Sequence, residues 1–394
     1  MTRKIIFDQA DRVYRLLPSI EDQSFPLTAK FKSRKNPLID HTRVSSIPQP
    51  DREIRLSLEQ IDTQRQEDLI HDLLGRWYRR VFQSDLPEAL DIYYHSNINQ
   101  LLTLFYMGML DSEDAVVLTD PGMPVYRNLA TLTSAKILKI PVLPRYDYLP
   151  NIKSLQSDYH TNTRILFLNY PHQPTGAIAD EFYYRELIEF AEKYNLLVVN
   201  EGSLVHFLNP DYSPVSFFNQ TRKYSHFIEI YGFGLPGQGF SPAFLIGHRD
   251  IIAHLRSFCA KLSGPADPFT LGLSRYWLEN FAELAAPYQS RISVNRALAF
   301  DYLNQWEWPY HKPAAGHYLW IKVPHRYSSD GIALSLLRTA NIRVIPGFIF
   351  GEYGEGYMVL NLLKTPEEFQ QTMERIRSHW FPLRITKIKK EKKQ

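Results

Sequence analysis

The chain has almost no cysteine and lacks any long apolar run. Cys259 is the single cysteine among 394 residues, so an internal disulfide and a cysteine-based metal cluster are both excluded. We interpret Cys259 as a small buried hydrophobic residue. No run approaches the ~20 apolar residues of a membrane-spanning helix, and the first residues lack the apolar core of a signal peptide. These absences predict a cytoplasmic protein with no membrane partner.

The net charge of the chain is also small, and the charged residues are unevenly distributed. The formal net charge is +3. Residues 384–394 hold six Lys or Arg residues and one Glu, a net +5, so the remaining body carries −2. A basic tail can attract nucleic acid or an anionic membrane. We interpret this one as a solvated C-terminus, and nucleic acid is not an expected partner.

In the middle of the chain, short apolar runs alternate with longer amphipathic ones. The runs predicted as strands are Ala115–Thr119, Lys136–Ile140, Arg164–Leu168, Leu196–Val199, Phe227–Tyr231 and Ala243–Gly247. Helices are predicted over Arg65–Val81, Asn97–Leu110 and Asp180–Tyr194. Continuous apolar strands that alternate with helices indicate a mainly parallel sheet covered on both faces. The predicted fold class is therefore α/β, a three-layer sandwich.

A long predicted helix, Pro268–Trp306, bent near Pro287, leads to a smaller α+β unit. That unit has predicted strands near Tyr318–Val323, Arg343–Ile345 and Tyr357–Leu362, and helices near 330–340 and 366–379. We expect four parts along the chain. They are an N-terminal arm (1–50, with a helix near 8–16) that packs with the small domain, a large domain (51–285), the small C-terminal domain (286–383) and the basic tail (384–394).

Four segments together resemble the class I/II aminotransferases, which use pyridoxal phosphate. The segments are Asp120–Tyr126 (Asp-Pro-Gly-Met-Pro-Val-Tyr), Leu166–Gly176 (with Asn-Tyr-Pro-His-Gln-Pro-Thr-Gly), Gly316–Val323 and Val344–Tyr357 (with Pro-Gly-Phe-Ile-Phe-Gly). Their order and spacing make the combination specific, and the resemblance is closest to the LL-diaminopimelate aminotransferase branch. It implies the fold type I architecture of pyridoxal-phosphate enzymes, usually a homodimer with active sites at the subunit interface.

Leu235 stands where the family carries its Schiff-base lysine. The segment Tyr231–Ser241 resembles the Ser-x-Ser-Lys segment of the family, and no lysine occurs between Lys223 and Lys261. An isobutyl group can neither form an imine nor act as a base, because both tasks need a nitrogen lone pair. We therefore predict no catalytic residue here and no ordinary transamination.

The positions that face the cofactor ring have changed too. By the resemblance, Met123 replaces the aromatic residue that stacks on the ring, and Gln173 replaces the asparagine that bonds the ring hydroxyl. Glu201 replaces the aspartate that keeps the ring nitrogen protonated, so a carboxylate remains to pair with a pyridinium. Leu204 replaces the cofactor-facing tyrosine.

The phosphate positions are altered in the same way. Ser96 and Asn97 lie in a loop that has lost the family's two glycines, whose backbone amides bind the phosphate at a helix start. Gly232 and Gly234 replace the two serines of Ser-x-Ser-Lys, and Ser241 replaces the arginine that binds the phosphate. No cofactor is therefore predicted.

Val359 matches the arginine that binds the substrate carboxylate, and valine cannot replace a bidentate cation. Together with Leu204 and Leu235, it predicts a more apolar cleft and a ligand that is less anionic than an amino-acid phosphate adduct.

These positions favour a non-catalytic binder or the partner subunit of an active homologue. It would be a homodimer or a heterodimer with a paralogue, with a small-molecule ligand in the old cleft. Two alternatives stay open: an enzyme with lysine-independent chemistry in the same cleft, and a divergent working aminotransferase that binds pyridoxal phosphate. A new acid–base or metal site formed by Glu201, His206, His172 and His317 is less favoured than polar residues lining an old cleft. A DNA-binding regulator is disfavoured because the stretch before residue 51 is too short and too proline-rich for a winged-helix domain.

Overall fold

The structure, a computed structural model, describes residues 39–45, 63–154, 162–264, 268–324 and 327–380. The predicted helix near 8–16 and the basic tail 384–394 lie outside the described residues. No helix in the described ranges is both long enough and apolar enough to cross a membrane.

The described elements alternate in type through the first two thirds of the chain. The strands are β1 Ile39–Asp40, β2 Leu90–His95, β3 Ala115–Asp120, β4 Lys136–Pro141, β5 Thr163–Leu168, β6 Leu197–Glu201, β7 Phe227–Gly232, β8 Ala243–His248, β9 Tyr318–Lys322, β10 Ile342–Arg343, β11 Ile345–Pro346 and β12 Tyr357–Asn361. The α-helices are α1 Thr63–Phe82, α2 Ile98–Met109, α3 Pro124–Leu132, α4 Glu181–Tyr194, α5 Arg249–Ser263, α6 Pro268–Gln305, α7 Ser329–Ala340 and α8 Pro366–Trp380.

The main sheet has seven strands in the order β2-β8-β7-β6-β5-β3-β4. Five neighbouring strands are parallel to one another: β4, β3, β5, β6 and β7. Strand β8 pairs antiparallel with both β7 and β2. The predicted mainly parallel sheet is therefore confirmed. Sequence reasoning missed β2, an edge strand of which only Ile92 is buried, because it has no continuous apolar run.

Successive residues of a strand point to opposite faces of the sheet, so a continuous apolar strand places apolar side chains on both faces. Helices cover both of them. Leu166 and Val198 belong to one buried cluster, which also contains residues of α1 and α4. Ile165 and Val199 belong to a second cluster, built with α2, α3 and α5. This is the three-layer arrangement that the sequence predicts.

The C-terminal part forms a three-stranded antiparallel sheet, β11-β12-β9. The strand predicted over Arg343–Ile345 is divided in two, because the chain changes partners at Val344. Before it, β10 pairs with β1 of the N-terminal segment, and after it β11 pairs with β12. The segment that follows β1 is also held here, since His41 Nδ1 accepts a hydrogen bond from the Asn361 backbone N–H at 3.1 Å. The helix α6 is continuous, with Pro287 inside it.

Candidate functional site

The first turn of α2 lies beside the end of β7, and its backbone amides are already occupied. Asn97 caps the helix: its Oδ1 accepts from the N–H of Asn99 at 2.9 Å and from that of Gln100 at 3.2 Å. The N–H of Ile98 donates to the Ser241 carbonyl at 2.9 Å. A helix start binds an anion through free amides. This one has its first donors satisfied within the chain.

The side chains around this helix start fill the neighbouring space. Ser96 lies in the bend before Asn97. A Cβ added at Gly232 would lie 2.5 Å from Ile98 Cδ1, and one added at Gly234 would lie 2.9 Å from the Ser241 Cβ. A larger residue at either position would therefore have to displace its neighbour. Ile98 packs against Gly232, and Ser241 packs against Gly234. Sequence reasoning did not identify Ile98 as a neighbour of Gly232.

Leu235 is buried in the hydrophobic core, with 2% of its surface exposed. Its carbonyl closes a turn by accepting from the Gln238 N–H at 2.9 Å. The two lysines that flank this segment are directed elsewhere. Lys223 donates to Glu192 at 2.7 Å on the surface, and Lys261 is exposed on α5. Neither supplies an amine at the position of Leu235.

Glu201, the last residue of β6, is buried and has both carboxylate oxygens occupied. Its Oε2 accepts from the Tyr126 hydroxyl at 2.8 Å and from Asn169 Nδ2 at 2.7 Å. Its Oε1 accepts from the Ser203 backbone N–H at 3.0 Å and from the Ser203 hydroxyl. Burial raises the pKa of this carboxyl group, although these hydrogen bonds oppose the shift. The carboxylate therefore joins helix α3 to the carboxyl ends of β5 and β6.

The three apolar positions of the expected cleft pack in the core instead. Leu204 lies against the backbone of Gly316, where an added Cβ would be 3.1 Å from Leu204 Cδ1. Val359 is fully buried in β12, paired with Trp320 of β9 on one side and with Ile345 on the other. Leu235 is also buried, so all three side chains contribute to the packing of the core. The more apolar cleft and the less anionic ligand stay predictions.

Open space remains nearby, in a crevice between the carboxyl ends of β3 and β4 and the turn after β11. Met123, Arg127, Asn169 and Phe350 are among its lining residues, and the crevice is open to solvent. Gln173 lies close behind this wall, because its backbone N–H donates to Asn169 Oδ1 at 3.0 Å.

The four residues weighed as an acid–base or metal site do not form one. The His172 ring is bonded to the Thr175 hydroxyl at 2.8 Å, whereas His206 is packed among aromatic rings. Burial lowers the pKa of His172 and of His206 to about 3, and that of His317 to about 4. Within the described ranges, no group of three or more His, Cys, Asp or Glu residues is arranged to hold a metal ion.

A further polar residue at the edge of the crevice, Asp120, joins the main sheet to the C-terminal part. Its carboxylate accepts from the N–H groups of Tyr353 at 3.0 Å and Glu352 at 3.1 Å. Lys139 Nζ lies 4.0 Å from this carboxylate and 2.7 Å from that of Glu352. Gly351 approaches so closely that it has no space for a side chain. We call this set of contacts the Asp120 interlock. The Asp-Pro-Gly turn was its only sequence signal.

The architecture as a whole is that of the aminotransferase type of pyridoxal-phosphate fold. The chain superposes on the substrate-bound BacF structure from Bacillus subtilis with a TM-score of 0.75 and 22% identity, covering 88% of this chain and 91% of that one. It also superposes on the aromatic aminotransferase of Pyrococcus horikoshii with a TM-score of 0.73 and 20% identity, covering 90% and 96%. At these identities the likeness establishes the fold alone.

Sequence comparison defines the family. The model of the aminotransferase class I and II family matches residues 87–376, and this chain belongs to that family. An LL-diaminopimelate aminotransferase from Moorella thermoacetica is 27% identical over 309 residues, which is 76% of this chain and 78% of the relative. An L-glutamine–4-(methylsulfanyl)-2-oxobutanoate aminotransferase from Bacillus subtilis is 26% identical over 309 residues, 76% of each chain.

Proposed function

We propose that this chain is a non-catalytic member of the aminotransferase family, which acts as a binder or as the partner subunit of an active homologue. The observation that supports the proposal is the burial of Leu235 in the core, at the position that the sequence resemblance assigns to the family's lysine. Transamination in this family needs a primary amine on the protein that captures the cofactor aldehyde. The flanking lysines at 223 and 261 do not replace it.

The groups at the positions that the resemblance assigns to the cofactor also do not fit pyridoxal phosphate. The first amides of α2 are bonded to Asn97 and Ser241, so a phosphate would have to displace these contacts. Both oxygens of Glu201 are taken by protein donors, so pairing with a pyridinium would break buried hydrogen bonds. Each charge-assisted bond that is missing or must be broken costs about 1.5–3 kcal/mol, and ~1.4 kcal/mol weakens binding tenfold.

The same proposal includes assembly and location. We propose a cytoplasmic homodimer, or a heterodimer with an active paralogue, in which the boundary between a large and a small domain falls near residue 285. Sedimentation velocity of the purified chain tests the homodimer. Copurification with a lysine-bearing homologue from the native cells distinguishes the partner-subunit role from that of a self-contained binder.

A divergent working aminotransferase is the second candidate, because the family match is continuous over most of the chain and the relatives are named as aminotransferases. That candidate requires a covalent adduct with pyridoxal phosphate on one lysine. The proposal requires that no such adduct form at stoichiometric level.

We predict that the purified protein has no visible absorbance band of an internal aldimine and that Leu235→Lys does not create one. The substitution adds an amine but leaves the amides of α2 and the carboxylate of Glu201 occupied. The measurement is absorbance after incubation with pyridoxal phosphate, followed by borohydride reduction and peptide mass spectrometry. A near-ultraviolet band of bound pyridoxamine phosphate would instead favour lysine-independent chemistry.

Leu235→Met is the matched control for folding, because it preserves an apolar side chain of similar volume. Circular dichroism of both variants shows whether each is folded. A single lysine that carries one equivalent of reduced cofactor in the unmodified sequence would refute the proposal.

A further inference from the structure

Residues 39–45, which we call the strap, connect two parts of the molecule. The first two residues form β1, which pairs with β10 of the C-terminal part. The last two reach the turn that follows β7 and the helix α6. A Cβ added at Gly237 in that turn would lie 3.8 Å from the Val44 Cβ. The Arg291 guanidinium on α6 donates to the Ser45 carbonyl at 3.4 Å. The strap therefore ties the C-terminal sheet to α6 and to this turn.

His41, in the middle of the strap, is completely buried. Its Nδ1 accepts from the Asn361 backbone N–H at 3.1 Å, and its Nε2 lies 3.0 Å from the Thr372 hydroxyl oxygen. That hydroxyl donates its own proton to the Glu368 carbonyl at 2.9 Å. Because a backbone N–H can only donate, Nδ1 carries no proton, and Nε2 donates to Thr372. The hydrogen bonds therefore require a neutral imidazole with its proton on Nε2.

A second proton on this ring has no acceptor in the site. A proton on Nδ1 would point at the Asn361 N–H, so the hydrogen bond would be lost and two donors would face each other. A buried charge without a partner is costly. Burial and the nearby Lys364 accordingly lower the pKa of His41 from 6.5 to about 3.

The charged groups beside the strap do not offset a positive charge on His41. They lie on β1, β10, α6, α8 and the loop after β12, and they are Asp40, Arg43, Arg291, Arg343, Lys364 and Glu368. The two carboxylates are engaged: Asp40 is paired with Arg343 at 2.8 Å, and Glu368 accepts from the Ser45 hydroxyl. The other groups are cationic and oppose protonation.

We propose that the strap is an acid-released tether, which is attached while His41 is neutral and detaches from the C-terminal part when His41 takes up a proton from solvent. In the detached strap the imidazole is hydrated and titrates near its ordinary pKa of 6.5. Since the attached form has the lower pKa, attachment is strongest above pH 6.5 and weakens as the pH falls below this value. Detachment also removes the contacts of Val44 and Ser45 with the turn and α6.

Hydrogen exchange of the full chain, measured by mass spectrometry, tests the proposal. The reporter is the peptide 39–45, in which the Ile39 N–H donates to the Asn341 carbonyl at 3.1 Å and the His41 N–H to the Arg343 carbonyl at 2.7 Å. Its protection factor, corrected for the intrinsic exchange rate at each pH, should fall about 25-fold between pH 7 and pH 5. Strand β6 reports on global unfolding and should remain more protected at both values.

His41→Asn retains an oxygen that can accept from the Asn361 N–H, but it does not titrate in this range. The protection of its strap should therefore be the same at pH 7 and pH 5. His254→Asn is the matched control, because this histidine is exposed on α5. It should keep the full 25-fold decrease.

Three exchange results would overturn the proposal. They are constant strap protection between pH 7 and pH 5 in the unmodified protein, an equal decrease in His41→Asn, and a decrease of β6 to the protection of the strap. Nitrogen-15 spectra of the histidine rings test the same point without any variant: a protonated His41 ring in a strap that stays protected would also overturn it. These outcomes leave the absorbance test of the proposed function unaffected, because the two measurements report on different groups.

Discussion

Replacement of Gly351 by alanine is expected to lower the free energy of unfolding by about 3–4 kcal/mol. Gly351 has a φ of +141°, which is unfavourable for a side chain. An added Cβ would also overlap the Asp120 carboxylate. The Asp120 interlock would have to open, so the hydrogen bonds from Glu352 and Tyr353 would be lost or lengthened. Urea denaturation followed by circular dichroism measures the change.

Gly356→Ala measures the cost in stability of a positive φ alone, without a steric overlap like that between Gly351→Ala and the Asp120 carboxylate. Gly356 also has a positive φ, +82°, but a Cβ there would meet nothing within 4 Å. Its cost should be about 1–2 kcal/mol, the backbone strain alone. In an Asp120→Ala background, the cost of Gly351→Ala should fall towards that of the control, because the overlapping group is gone. Equal costs for the two glycine variants in the unmodified sequence would contradict the interlock.

The second large effect concerns the free energy of unfolding, part of whose pH dependence should disappear in Glu229→Gln. Glu229, on β7, is fully buried, and burial raises its pKa to about 7. Its carboxyl group accepts from the Phe217 N–H at 2.7 Å, the Tyr231 hydroxyl at 2.8 Å and the Ser216 hydroxyl at 2.9 Å. Burial also raises the pKa of Tyr231 well above its ordinary value, so the tyrosine remains protonated over the range measured.

The raised pKa of Glu229 determines how the stability of the protein changes with pH. In the unfolded chain the carboxyl group titrates near its ordinary value of 4.5, so between this value and about pH 7 the folded state binds the extra proton. The free energy of unfolding therefore falls as the pH rises through this interval, by about 3 kcal/mol in total from this group. Glutamine does not titrate, so the stability of Glu229→Gln relative to the unmodified protein should rise by about 2.5 kcal/mol between pH 5 and pH 8.

Glu229→Leu is the companion variant. It also abolishes the titration, but it removes the acceptor of the Phe217 N–H and of the Tyr231 hydroxyl, which costs about 1–3 kcal/mol for each buried unpaired group. It should be less stable than Glu229→Gln at every pH, with the same slope. Parallel stability curves for Glu229→Gln and the unmodified protein across this range would show that Glu229 is ionised in the folded state.

The differences between expectation and structure arise where distant segments meet. Asn97 and Ser241 lie far apart in sequence, so nothing in the local pattern predicts that the Ser241 carbonyl accepts the Ile98 amide. Glu201 illustrates the same limit. Its residue type suggested a partner for a bound pyridinium, but the hydroxyl of Tyr126 and the amide of Asn169 already fill that position. The residue type at a position determines which chemistry its side chain can perform. The neighbouring residues determine whether the atoms of that side chain are already hydrogen-bonded.

The sequence by itself determined the α/β class and the mainly parallel sheet, and it predicts a leucine at the position of the family's lysine. These follow from residue type and from the periodicity of apolar residues, which are local properties of the chain. Only the tertiary structure decided that Leu204, Leu235 and Val359 are packing residues and that His41 is fully buried against the C-terminal part. Burial and charge pairing depend on contacts between distant segments, and these exist only once the chain has folded.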